Sequence, residues 1–258
     1  VEAERKSFVA GPGSKAGALS SEERADALEE TLMKQLDKPS AQAPKLRRGT
    51  GVLFGGFTPS GLQSALGALA PMPPRPTIVD FFKLRFVPHT VTHMLQSAND
   101  AQKKGEPEET VLACLLHDIA VNLIKVDHGW WAAQMVEPYV SEKVSWAIRY
   151  HQALRFFPDP SVGYGYPERY VQIFGTGYVP EPYIKAAYEQ ARKHKWYMEA
   201  RMITVHDLYA FEPGVHPALE PFIDVIGRHF RQPKEGLGFD GSPVAHMWRS
   251  LIYPDNPL

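Results

Sequence analysis

The chain has 258 residues, enough for one substantial domain or one domain with an appended segment. Its 44% hydrophobic and 22% charged residues are ordinary globular proportions, and a formal charge of −1 gives no electrostatic case for a nucleic-acid or polyanionic partner. No apolar run reaches the ~20 residues of a membrane span, "VEAERKSF" lacks an apolar signal core, and the single cysteine, Cys114, excludes an internal disulfide, so the expectation is a soluble, cytoplasmic protein.

In chain order, residues 1–19 are small, polar and Gly-containing. Ser20 and Glu23 form an S-x-x-E capping box that opens a helix to about Asp37, and residues 38–61 read as connection. The expectation is an N-terminal extension over 1–74, with one helix among irregular segments, and a second domain over 75–258. "TIVDFFKLRF" has helical apolar spacing and is bounded by Pro88. The next helix runs from about His89 to Gly105, a C-terminal glycine. Pro107, with Glu108 and Glu109, opens the helix that carries "TVLACLLHDIAVNLI". Asp127 is read as the cap of "HGWWAAQMV" and Ser141 as the cap of "EKVSWAIRYHQALRFF". Residues 158–182 form a long Gly-, Pro- and Tyr-rich loop with room for one short helix. Helical periodicity resumes over "YIKAAYEQARKHKWYMEARMITVHDLYAF", in one piece or two, and two short helices close the chain. Strand-like alternation is absent, so the fold class is all-α.

Of the ten histidines, four stand in apolar helical settings: His93, His117, His128 and His151. Asp118 and Asp207 are carboxylates in similar company. One imidazole on an apolar face is usually a satisfied core residue. Several separate buried polar sites would each need a partner, whereas one metal centre satisfies them together. Imidazole nitrogen with carboxylate oxygen suits iron, manganese or zinc, and the lack of thiolates argues against iron–sulfur clusters and structural zinc. On a helix the adjacent His117 and Asp118 diverge by about 100°. Such a pair suits two neighbouring ions, the carboxylate bridging while the imidazole binds one.

The order His93, His117–Asp118, His128, His151, Asp207 resembles the HD-domain superfamily, a helical metal-binding bundle, in its dinuclear branch. The resemblance spans roughly residues 75–230. It implies that His93, His117, Asp118 and Asp207 hold one iron, with Asp118 bridging to a second iron held by His128 and His151. Manganese or other divalent ions are the alternatives. "HMLQSA" is similar to the H-x-x-Q-[ST]-A stretch of the mixed-valence diiron oxygenases, which include myo-inositol oxygenase and enzymes that cleave hydroxyalkylphosphonates. Gln96, one turn after His93, is a candidate to orient a ligand or water, and Arg155, one turn after His151, a candidate to bind a substrate oxyanion. The implied activity is O2-dependent oxidation or cleavage of a small hydroxylated substrate at its hydroxyl-bearing carbon. The alternative is a dinuclear HD phosphohydrolase acting on a phosphoester.

Departures narrow this. Val121 stands where phosphonate-cleaving members carry a further histidine, and "FFKLRFVPHTVTH" lacks their upstream Tyr–Glu pair. "GYGYP" resembles part of the HD-GYP phosphodiesterase signature, but Gln152 follows His151 and the D-G element is missing. His206, beside Asp207 in a second His–Asp dipeptide, lies on another helix face and is read as incidental, and Cys114 as a small buried hydrophobe.

Overall fold

The computed structural model describes residues 70–253 apart from 125 and 209, and omits the side chains of 169 and 173. The expected helix over 20–37, the connection over 38–61 and almost all of the extension over 1–74 lie outside the described residues.

Among the described residues the fold is all-helical, its one β feature a single bridge between Asp159 and Tyr164. None of these helices is long and apolar enough to cross a membrane. Helix α1 spans Ile78–Leu84 and opens on a reciprocal cap, in which Thr77 accepts from the Asp80 amide and Asp80 accepts from the Thr77 amide. Helix α2 (Pro88–Lys103) starts on its proline, and Gly105 follows it at φ +77°, the left-handed conformation expected of a terminating glycine. Helix α3 (Glu108–Leu116) is the centre of the fold. All seven of its residues from Thr110 to Leu116 are buried, and it packs against α2 and against three later helices. A helix apolar on every side has to sit in the core. Each of its buried leucines contributes roughly 1.5–3 kcal/mol of burial free energy.

The apolar run was expected to stay helical to about Ile124. Instead α3 ends at Leu116, and residues 117–123 form successive turns. Their backbone bonds tighten to the i→i+3 pattern, as in Val121 N–H to Asp118 O at 3.0 Å and Leu123 N–H to Ala120 O at 2.9 Å. His117 and Asp118 therefore stand at a helix end, where their directions are set by a turn as well as by helical pitch.

Helix α4 (His128–Val136) is entered through Asp127, which has left-handed φ +55° and makes no side-chain cap bond. The expected cap is thus replaced by a left-handed corner, a conformation Asp tolerates better than most residues. Ser141 does cap α5 (Glu142–Leu154), accepting from the Val144 amide. The long loop contains a 3₁₀ turn at Pro160–Val162 and one short helix, α6 (Glu168–Phe174). The following helical stretch resolves into two pieces, α7 (Pro182–Ala191) and α8 (Tyr197–Leu208), with α8 packed along α5, α2 and α3. Helices α9 (Ile223–His229) and α10 (Ala245–Ile252) close the fold.

The C-terminal segment locks the start of the domain. Trp248 is fully buried edge-on to Phe81, its indole N–H donating to Met135 O. The Leu237 amide donates to Pro76 O at 2.8 Å. This close passage requires Gly236, which has φ +92° and whose added Cβ would lie 2.6 Å from Pro76 Cδ. Gly236→Ala is expected to cost about 2 kcal/mol or more. Thermal unfolding followed by circular dichroism should show a melt lowered by several degrees.

Candidate metal centre

Six side chains from distant parts of the chain meet beside α3: His93 from the middle of α2, His117 and Asp118 from the turn after α3, His128 from the first residue of α4, His151 from the end of α5, and Asp207 from the end of α8. His93 Nε2 lies 3.1 Å from Asp207 Oδ1 and 3.5 Å from Asp118 Oδ2. His128, His117 and His151 approach the other oxygen, Asp118 Oδ1, with Nε2 at 3.0, 3.5 and 3.8 Å. The two oxygens of one carboxylate are thus divided between different imidazoles.

Backbone carbonyls aim three of the rings. The Nδ1 of His93 bonds Ala210 O at 3.0 Å, that of His117 bonds Cys114 O at 2.7 Å, and that of His151 bonds Ile148 O at 2.6 Å. A carbonyl can only accept, so Nδ1 carries the proton and Nε2 turns its lone pair inward. This is how imidazoles are oriented toward metals. It also leaves a problem among the side chains alone, because the Nε2 atoms of His93 and His117 stand 3.2 Å apart.

Electrostatics resolve it with a proton. Burial opposes charge on His93, but the hydrogen bond and charge of Asp207, with Asp118 adding, outweigh it and raise its pKa to about 9. His117 is driven the other way, toward neutrality, chiefly by burial. Burial would raise both carboxylates; the imidazoles prevail, holding Asp118 well below the usual carboxylate range and lowering Asp207. Even so, the buried Asp118 Oδ1 accepts no well-aligned hydrogen bond, despite three imidazoles within reach. A buried carboxylate oxygen ringed by nitrogens and still unsatisfied is what a cation would complete. His93, His117 and Asp207 form one group able to hold an ion, and His117, Asp118 and His151 another, with the ligand atoms of each within 4.8 Å of one another.

The two candidates outside the cluster fare differently. Gln96 was expected to orient a ligand or water. Its amide is instead committed to the loop after α8, donating to Glu212 O at 2.9 Å and Val215 O at 2.7 Å while accepting from the Glu212 amide at 3.0 Å. It positions a wall of the site. Gln96 and Arg155 both line the cleft of about 620 Å³ shared with His93, Asp118, His128 and Asp207. Of the loop tyrosines, Tyr170 reaches the cleft, whereas Tyr164 is buried and donates to Arg155 O. His206 turns away from the cluster and pairs with Asp100 at 2.7 Å.

Two contributors went unread in the sequence. Phe211 stacks on the His93 ring at 4.5 Å, and nothing in "YAFEP" marks that partner. Gly129 lies where α4 meets α5: an added Cβ would fall 2.9 Å from both His151 Cε1 and Ile148 O. Only glycine lets His128 and His151 come together, with the Gly129 amide held by Gln152 Oε1 at 3.2 Å. A glycine beside a histidine inside an apolar helix was the available signal.

No family model matches the chain, and the curated proteins contain no match to it.

Gly129→Ala should displace His151, and elemental analysis after manganese loading and desalting should find less than half the wild-type metal per chain. Gly227→Ala, whose added Cβ meets nothing within 4 Å, should retain the wild-type amount.

Proposed function

We propose that the chain is a dinuclear member of the HD-domain superfamily, acting as a non-haem diiron oxygenase on a small hydroxylated substrate. The observation that carries this reading is the division of Asp118, with Oδ2 toward His93 and Oδ1 toward His117, His128 and His151. A carboxylate so placed suits a bridge between two ions. In this reading His93, His117, Asp118 and Asp207 hold one iron, and Asp118 with His128 and His151 holds the other. Two such ions would supply redox chemistry with O2 and Lewis acidity toward a substrate hydroxyl.

The chain's own residues do the rest. Carbonyls of Cys114, Ile148 and Ala210 keep the ring nitrogens facing inward. Gln96 anchors the 210–216 wall, and Phe211 covers the face of His93. Together they limit water around the reacting carbon. Arg155 is the one Lys or Arg lining the cleft among the described residues. A nucleotide carrying several phosphates would be poorly met there, which weighs mildly against that class of phosphohydrolase substrate.

Anaerobic reconstitution with iron, partial oxidation and electron paramagnetic resonance test the proposal. The expected result is a mixed-valence signal perturbed by substrate, together with O2 uptake. Phosphate release from generic phosphoesters with manganese, without O2 use, would replace the reading by a phosphohydrolase. His128→Ala should lower bound metal from two toward one per chain while leaving the far-ultraviolet circular dichroism nearly unchanged; unaltered stoichiometry would refute the dinuclear assignment.

A further inference from the structure

The cleft over the His/Asp cluster is lined by two chemistries with no structural partner for each other. One is apolar. Val121, Ala210, Phe211, Pro213 and Val215 face it, and Phe211 and Val215 keep 50% and 38% of their surface exposed. Apolar side chains left open inside a concavity are characteristic of ligand sites, and about 620 Å³ is within the range of small-molecule pockets.

The other chemistry is Arg155. Its Nε is buried without a hydrogen-bond partner, the guanidinium's polar contact being with the Tyr170 side chain. Its guanidinium rests near the rings of Phe156 and Tyr170, at 5.0 and 5.4 Å from their centroids, contacts that fix its plane without supplying an anion. The backbone beneath it is also held. Tyr164 donates to Arg155 O at 2.9 Å, and the buried Arg201 donates to Leu154 O at 3.1 Å. A rigidly mounted cation with a buried orphan donor suits an anion, which meets its charge and its unmatched N–H together.

We propose that the ligand of this cleft is a hydroxylated monocarboxylate with an apolar body. Its carboxylate pairs with Arg155 and its apolar part lies on Val121, Phe211, Pro213 and Val215. Its hydroxyl faces the His/Asp cluster, and that last assignment rests on the oxygenase reading. One carboxylate fits because a single guanidinium lines the cleft to meet it. A polyol could accept from the Arg155 Nε but would leave the guanidinium's charge unmet, and would set hydroxyls against Phe211 and Val215, whose side chains offer them no partner.

Calorimetric titration of manganese-loaded protein under argon tests this without turnover. The probes are 3-phenyllactate, 2-hydroxyoctanoate, 3-phenylpropane-1,2-diol and myo-inositol. Both acids are expected to bind at least tenfold more tightly than the diol or myo-inositol. Arg155→Gln should weaken the acids at least tenfold and leave the diol unchanged. Val215→Ser, a rim substitution that removes apolar surface without adding charge and so tests the apolar half independently of Arg155, should weaken both acids. Equal affinity for myo-inositol, or acid binding indifferent to Arg155→Gln, would overturn the proposal. Acid binding that depends on Arg155 but gives no O2 uptake in air would support this ligand class and count against the oxygenase reading instead. O2 uptake with myo-inositol but no binding of either acid would do the reverse.

Discussion

The fold is organised around one carboxylate that cannot be left alone. Asp118 is set at the end of the most deeply buried helix, with Oδ1 shielded from solvent and imidazoles on both of its oxygens. Burying an ionised carboxylate costs several kcal/mol unless positive charge or donors surround it. Histidines from α2, α4 and α5, with His117 beside it, meet that demand, and the helices carrying them pack where the rings must converge. Without a cation, a proton on His93 would balance part of the charge. A cation would balance it for all the rings at once.

The next layer explains why the rings point inward. Three of them donate through Nδ1 to carbonyls, two of those carbonyls lying three residues earlier in the chain. His117 and His151 are therefore oriented locally, by the last turns of α3 and α5. His93 depends on a remote partner, Ala210 in the loop after α8, and Gln96 on the same helix secures that loop further along. The aim of His93 and the shape of the cleft wall are coupled through α2.

Much of this was legible in the residues, and the reasons are local. Capping at Ser141, the terminating glycine at 105 and the all-round apolarity of α3 are short-range properties that a sequence displays directly. The six candidate ligands were legible because buried polar types are rare enough to stand out. Other features were not. The helix containing His117 was expected to continue, and it breaks into turns because tertiary packing, rather than apolar periodicity, sets its end. Asp127 has the composition of a cap, and only the route of the chain into α4 makes it a left-handed corner. Gln96 has the spacing of a ligand-orienting residue; its distance from Glu212 along the chain hid its actual partner.

By itself the sequence determined helical class, the identity of the inward-facing polar residues and the presence of a lone arginine one turn beyond His151, because these follow from residue type and period. The tertiary structure decided which oxygen of Asp118 each imidazole meets, that Gly129 permits His128 and His151 to approach, and that Phe211 and Gln96 belong to the wall of the cleft. Those outcomes depend on distances between segments far apart in the chain, and distance of that kind is set by packing.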